Sequence, residues 1–438
     1  MSQWLDSINL WLGANPQWLG VAVFVVACLE CLTIIGIVIP GAVLLLALAV
    51  LAGSGALSLW ETLLLATLGG LLGDIMSYGI GRYYHQDIHR LPVLRSHPKW
   101  LASAEEFFQR NGVISLLVGR FIGPLRPMLP TVAGMLNMPF GRFFAVSVLA
   151  SVGWAVAYML PGWATGAAFR LPLPPGFWQQ AGFVVFGIGL VLGLSIWAST
   201  KRLRWASLFA ALSSLALLVA LMASWPRLSD LDHGLMTLVQ EQRSEHLDML
   251  MVLITRVGDW RTQLAAAVLL GVILLVGRQR RALALAIGST LGSAIGNGLL
   301  KAIFERPRPQ ILLDPLGSYS FPSGHSSASF AFFLVLGVLA GREQAPRQRL
   351  TWLLVASLPA LAIAMSRVYL GVHWPTDVIA GAMLASCMCA ISLALVQWQK
   401  PLPAMPSKIW WLLLPSVIVM LLSITVFKLS SGLVMYQH

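Results

Sequence analysis

The sequence predicts an all-α polytopic membrane protein. A re-entrant-hairpin, inverted-repeat domain spans residues 1–200, a six-helix bundle spans 201–400, and an extra transmembrane helix falls in 401–438. Three observations predict it. Of 438 residues, 58% are hydrophobic and only 11% charged, a balance that describes membrane spans rather than a soluble core. Apolar runs long enough to cross a bilayer recur along the chain, separated by short basic loops. In the first half, two such runs are broken by proline and glycine in corresponding places, the mark of an inverted repeat.

Residues 1–18 carry Trp4, Leu5, Ile8 and Leu12 at near-helical spacing, which reads as an interfacial amphipathic helix ended near Pro16. No Lys or Arg precedes Arg82, so the basic region of a cleavable signal peptide is not expected. From Leu19 to Leu57 the only charge is Glu30, and Pro40-Gly41 interrupts the run. A helical hairpin that turns back there is predicted, its turn buried by protein. A span at 60–81 contains Asp74 and closes with Tyr78-Gly79-Ile80-Gly81-Arg82. After a basic polar segment, 82–111, the run 113–136 breaks again between Gly119-Arg120 and Arg126-Pro127. Glu30, Asp74, Arg120 and Arg126 are charges in apolar surroundings, which by default mark a functional site. The plainer alternative is that they pair and pin the hairpins together.

Spans at 140–162 and 178–198 complete the first half, which ends at Lys201-Arg202-Leu203-Arg204. Six spans follow, near 205–223, 262–277, 282–303, 325–341, 350–366 and 377–396. A seventh, 409–427, has no chemistry to assign. The four cysteines all lie inside apolar segments and read as small buried residues, with neither disulfide nor zinc expected. The formal charge of +12 comes mostly from short loops. It speaks to topology and anionic headgroups, and no nucleic-acid partner is expected.

The chemistry concentrates between Lys301 and Asp377. Lys301 and Arg308-Pro309 come first, then Pro322-Ser323-Gly324-His325, then Ser366-Arg367, His373 and Asp377. Lys301, Arg308 and Arg367 are donors suited to clamping a tetrahedral oxyanion, the arginines bidentately. Ser323-Gly324-His325 follows a proline and opens an apolar helix-length run, so its N–H groups belong to a helix N-terminus, a ready anion site. The two histidines can divide the roles of nucleophile and proton donor. Asp377, four residues after His373, can hold one ring nitrogen and leave the other free. Donors of this kind are worth roughly 3–4 kcal/mol apiece in comparable oxyanion sites. A lone Pro-Ser-Gly-His is explained blandly by a capping serine. Three motifs in order, each with fixed internal spacing, form a much narrower signal.

These residues resemble, at every fixed position, the three-part signature of the type 2 phosphatidic acid phosphatase family, which also includes vanadium-dependent haloperoxidases. The resemblance implies that His373 is the nucleophile, forming a phosphohistidine, and that Asp377 orients it. It implies that His325 is the general acid and that Lys301, Arg308, Ser323, Gly324 and Arg367 hold the phosphate, with no metal and no cofactor. Residues 19–165 resemble the DedA family, whose members include proposed flippases for polyprenyl phosphate and phospholipid. The matching residues are Glu30, Pro40-Gly41, Gly73-Asp74, Tyr78, Gly81-Arg82, Arg120-Phe121, Arg126 and Ala133-Gly134. Many members place an acid directly after Pro-Gly, where this chain has Ala42. Proton coupling would then rest on Glu30 or Asp74.

Basic loops set the expected orientation. Lys201/Arg202/Arg204, Arg278/Arg280/Arg281, Arg342/Arg347/Arg349 and Lys400/Lys408 occupy every second boundary and belong on the cytoplasmic side. The intervening loops, 226–250, 304–324 and 367–376, then face the exterior with the signature. The expected protein is a multi-pass plasma (inner) membrane phosphatase acting on a lipid phosphate or diphosphate, its partners being the bilayer and that lipid. Undecaprenyl diphosphate, phosphatidylglycerophosphate and phosphatidate are the candidate substrates. A transporter with a retired catalytic half, or a haloperoxidase-like enzyme, are the alternatives, and the sequence does not indicate an oligomeric state.

Overall fold

The computed structural model describes residues 15–33, 35–38, 41–84, 98–112, 114–120, 126–201, 205–311, 317–427 and 436. All elements among them are helical. The chain divides into two compact units, Met1–Pro172 and Leu173–His438. The boundary expected after residue 200 therefore moves to Pro172. The reason is packing: the helix Phe177–Thr200 lies against Ala206–Ser224 and Ser229–Gln240 of the second unit.

In the first unit, α1 (Pro16–Cys31), α2 (Ile35–Val38) and α3 (Gly41–Leu51) form the first broken run. Pro16 begins α1, where its fixed φ suits a first turn. The chain leaves the helix at Leu32, and α1 packs against α3, so the run doubles back as a hairpin. Pro40, the stretch 1–14, part of the basic segment 82–111 (residues 85–97) and Phe121–Leu125 lie outside the described residues. α4 (Leu59–Tyr83) starts with a capping box: Ser58 Oγ accepts the Glu61 N–H at 3.2 Å, and Glu61 Oε2 accepts the Ser58 N–H at 2.9 Å. Then come α5 (Pro98–Asn111), α6 (Ile114–Gly119), α7 (Met128–Met135) and α8 (Phe140–Arg170).

α4 is the spine of this unit, packing on α1, α7 and α8. Glycines let α4 and α7 touch backbone to backbone. A Cβ on Gly134 would lie 2.1 Å from the Tyr78 carbonyl oxygen, and one on Gly81 would lie 2.0 Å from that of Thr131. Small residues at such crossings are how membrane helices associate without a hydrophobic driving force. Tyr78 locks the crossing, its hydroxyl donating to the Met138 carbonyl at 2.5 Å while its ring stacks 4.3 Å from Phe143.

The second unit holds α9 (Phe177–Thr200), α10 (Ala206–Ser224), α11 (Ser229–Gln240), α12 (Glu245–Val257), α13 (Trp260–Val276) and α14 (Arg280–Phe304). It continues with α15 (Gly324–Ala340), α16 (Pro346–Tyr369), α17 (Pro375–Val396) and α18 (Ser407–Phe427). α17 sits at the centre against α10, α14 and α15. Around it Phe183, Val185 and Phe186 on α9 stay exposed, as side chains facing lipid do. Among the described residues, eight helices are long and apolar enough to cross a membrane, and the pair α12 and α13, bent by 45°, adds a broken span. The protein is therefore a multi-pass membrane protein.

Two features depart from the expected pattern. The stretch 226–250, expected as a loop, contains α11 and the start of α12. Their acidic residues Asp230, Asp232, Glu245 and Asp248 mask the apolar faces in a linear reading. Second, the basic loops interlock. Arg281 donates to the Val396 carbonyl at 2.6 Å and to that of Pro401 at 3.0 Å, and Arg342 donates to Gln397 Oε1 at 3.2 Å. Those loops share one end of the bundle, while the signature residues occupy the opposite ends of α14 to α17.

Candidate active site

Four helix ends converge on a cavity of about 820 Å³. Lys301 comes from the last turn of α14, Gly324 and His325 from the first turn of α15, Arg367 from the last turn of α16, and His373 from the turn before α17. Arg308 reaches in from the segment after α14, so six signature residues line the cavity.

Each side chain is locked by its neighbours. Lys301 Nζ donates to the Tyr319 carbonyl, while Arg308 Nε donates to the Ser318 carbonyl and Nη1 to that of Val372, both at 2.6 Å. Burial, then the nearby Arg367 charge, push Arg308 down to about 10, so it stays protonated at neutral pH. Arg367 Nη1 donates to Thr255 Oγ1 at 2.9 Å and to the Tyr436 hydroxyl at 2.8 Å.

His373 is buried, and its Nε2 lies 3.0 Å from Arg308 Nη1. A guanidinium only donates, so Nε2 carries the lone pair and the proton sits on Nδ1. Behind that proton, Ser320 Oγ stands 3.3 Å from Nδ1 and donates to Asp377 Oδ2. Burial, followed by the charges of Arg308, Arg367 and Lys301, holds His373 well below the usual imidazole range. The imidazole is therefore neutral at physiological pH.

Asp377 lies outside the cavity lining, as the anchor of a buried network. Its Oδ1 accepts from Arg306 Nη1 at 2.7 Å and its Oδ2 accepts the Trp374 N–H at 3.0 Å. Arg306 also donates to Asp232 at 2.6 Å, and Asp232 accepts the Thr376 N–H at 2.9 Å. Breaking such a buried pair costs about 3–5 kcal/mol, because one charge is left uncompensated. Ser323 likewise stays out of the cavity lining. It is the N-cap of α15, its Oγ accepting from the Ser326 N–H, and its own N–H donates to the Asp377 carbonyl at 2.9 Å. A Cβ on Gly381 would lie 2.7 Å from the Ser323 carbonyl oxygen, so glycine there lets α17 close on the anion-binding turn.

Several groups of this site escaped the sequence reading. Asp259 Oδ1 lies 3.1 Å from His325 Nε2, and Asp259 Oδ2 accepts from Arg256 Nη1 at 3.0 Å. The carboxylate engages Nε2 and so fixes the orientation of the ring. Arg256 and Asp259, two charges between apolar runs, carry the same signal that singled out Glu30. Arg306 stands two residues before Arg308. Ser320 and Tyr436 have no signal in the sequence.

In the first unit the four predicted charges meet as two buried pairs. Arg126 Nη1 donates to Glu30 Oε1 at 2.5 Å, and Arg120 Nη1 donates to Asp74 Oδ2. Each pair joins an acid of α1 or α4 to an arginine of the second broken run. Trp154 of α8 lies beneath both guanidiniums, at 4.2 Å from Arg126 and 5.2 Å from Arg120. Arg126 Nε and Nη2, Arg120 Nε and Glu30 Oε2 are buried without a hydrogen-bond partner among the described residues.

Together these features define a multi-pass membrane protein with a cavity lined by cations and two histidines in its second unit and a paired-charge core in its first. Residues 39–164 match the family model of the VTT domain and residues 281–401 match that of the PAP2 superfamily, which bears out both resemblances. The inner membrane protein YabI of Escherichia coli (strain K12) is 38% identical over 151 residues, or 34% of this chain and 59% of that protein. An uncharacterized membrane protein of Buchnera aphidicola (subsp. Acyrthosiphon pisum) is 31% identical over 201 residues, covering 46% of this chain and 77% of that one. Among solved structures, the transmembrane PAP2-type phosphatidylglycerolphosphate phosphatase from Bacillus subtilis is similar at 24% identity with a TM-score of 0.38. It covers 43% of this chain and 97% of that one.

Proposed function

We propose that this protein is a lipid phosphatase of the inner membrane, hydrolysing a lipid phosphate or diphosphate through a phosphohistidine. One observation carries the reading: the unprotonated Nε2 of His373 sits among Lys301, Arg308 and Arg367, with its Nδ1 proton backed by Ser320 and Asp377. In the first step the Nε2 lone pair attacks phosphorus and the bond to the leaving oxygen breaks. His325, held at Nε2 by Asp259, takes up a proton as the anionic substrate binds and gives one from Nδ1 to that oxygen. In the second step His325 takes a proton from water, the hydroxide attacks phosphorus, and the P–N bond breaks. Inorganic phosphate leaves and both histidines return to their starting state. Lys301, Arg308, Arg367 and the N–H groups opening α15 stabilise the oxyanion throughout. They supply the positive charge that a metal ion supplies elsewhere, so turnover is expected without one.

Undecaprenyl diphosphate, phosphatidylglycerophosphate and phosphatidate are the substrates to test. The basic ends of the bundle belong to the cytoplasmic side, which turns the cavity toward the exterior. Phosphate release from this panel by purified protein, with and without excess chelator, tests the reading. Release unaffected by chelator is expected. No release from any of the lipids, or activity restored specifically by magnesium or zinc, overturns the corresponding part.

The first unit supports a second function. Two arginines with donors left unpartnered among the described residues, buried on breaks in the helices, suit transient binding of a lipid phosphate during its passage across the bilayer. Fusion would place release of a monophosphate and its return within one molecule.

A further inference from the structure

We infer that Tyr436 is a positioning residue of the phosphate cavity, its hydroxyl and ring completing the clamp around Arg367. This rests on the phosphatase reading only for its meaning in turnover. The anion-binding claim stands on its own.

Tyr436 is only 4% exposed and packs with Val252, Tyr369, Leu370 and Val372 beneath the cavity it lines. Its hydroxyl accepts from Arg367 Nη1 at 2.8 Å, and Thr255 Oγ1 takes the other bond from the same nitrogen at 2.9 Å. Nη1 is thereby saturated. The guanidinium is a rigid plane, so fixing Nη1 at two points fixes the whole fork. What remains is the Nε–Nη2 edge, a parallel pair of donors that matches two oxygens of a tetrahedral anion. Its Nε is buried without a partner among the described residues, a donor left over by the protein's own bonding.

The choice of a phenol is also explained. A carboxylate beside Arg367 would neutralise it and compete with phosphate for the same charge. A phenol orients the guanidinium and leaves its charge intact. Its ring also lies 5.6 Å from the Arg367 guanidinium and 5.9 Å from that of Arg256, softening two positive charges without cancelling either. The extra span thus acquires a use. α18 packs on α12 and α13, the helices that carry Thr255 and Arg256 and flank Asp259.

The test is calorimetric titration of the full chain in detergent with orthovanadate, a tetrahedral anion with no leaving group. Tyr436→Phe keeps the ring and removes the hydroxyl, and should weaken orthovanadate binding about tenfold, the loss of one hydrogen bond to a charged group. In an Arg367→Lys background there is no fork to orient, so the same change should have no effect. Where turnover is measurable, KM should rise with the orthovanadate dissociation constant while kcat falls less. Unchanged affinity in Tyr436→Phe, or an equal loss in the Arg367→Lys background, overturns the inference. Tighter binding overturns it too, since the tyrosine would then be an occluder. A wild-type chain that binds no orthovanadate at all also defeats it. One that binds the anion but releases phosphate from no lipid defeats only the phosphatase reading.

Discussion

Asp377 supports His373 through an intermediary: its Oδ2 stands 3.6 Å from His373 Nδ1, and the Ser320 hydroxyl bridges the two. Nδ1–H donates to Ser320, and Ser320 donates to the carboxylate. The acid thereby fixes the imidazole's tautomer from a distance, while its other oxygen is committed to Arg306.

That bridge makes Ser320 the cleanest place to test the relay. Ser320→Ala removes both hydrogen bonds of the bridge and leaves the Arg306–Asp377–Asp232 network in place. We expect kcat to fall about tenfold with little change in KM, a net loss of about 1 kcal/mol or slightly more. A variant as fast as wild type would show that Asp377 acts on His373 directly.

His373→Ala should abolish turnover and phosphoenzyme, whereas His325→Ala should still trap phosphate on His373 from a substrate with a good leaving group. Rapid quench with radiolabelled substrate reads both. Phosphoenzyme in His373→Ala assigns the nucleophile elsewhere.

Asp259→Asn should behave as a weaker His325 lesion. Because Asp259 holds His325 in place, its loss should matter most when the leaving oxygen needs a proton. The rate deficit should therefore grow as the leaving-group pKa rises, and shrink for aryl phosphates. An equal deficit across a leaving-group series would reduce Asp259 to a structural role.

The pH dependence follows from the burial of His373 among cations. Both effects disfavour the charged imidazolium, so the neutral nucleophile persists as pH falls past 6.5, the ordinary histidine value. No inflection due to His373 is expected in kcat/KM between pH 6.5 and 8. Arg308→Gln removes one of the cations, so an acid limb should move up toward 6.5 while the plateau drops. An acid limb that stays put in this variant removes Arg308 as a cause.

In the first unit, Arg120→Ala and Arg126→Ala should impair lipid translocation in liposomes while leaving phosphate release nearly intact, and His373→Ala should do the reverse. Each arginine variant also strands a buried acid, at a cost of about 3–5 kcal/mol. The paired changes Glu30→Gln with Arg126→Gln, and Asp74→Asn with Arg120→Gln, control for that. Variants that are correctly inserted and translocate like wild type would leave the four charges a structural role alone.

What the sequence by itself determined is whatever short-range geometry dictates. Hydropathy runs placed the spans, because a helix must hold its apolar length in lipid. His373 and Asp377 sit one helical turn apart, and Ser323 caps the helix that presents Gly324 and His325, so local spacing alone made those residues legible. The same arithmetic could not find α11 and α12, where Asp232 is buried among partners and Asp230, Glu245 and Asp248 break up the apolar pattern. Tertiary structure decided the rest. It paired Glu30 with Arg126 and Asp74 with Arg120, set Asp259 behind His325, and inserted Ser320 between His373 and Asp377. It joined Asp232 to Thr376 across 144 residues, and Tyr436 to Arg367 across 69. A hydrogen bond depends on where two helices cross and which faces they turn to each other. Those quantities come from side-chain packing summed over the bundle, and no local period in the chain records them.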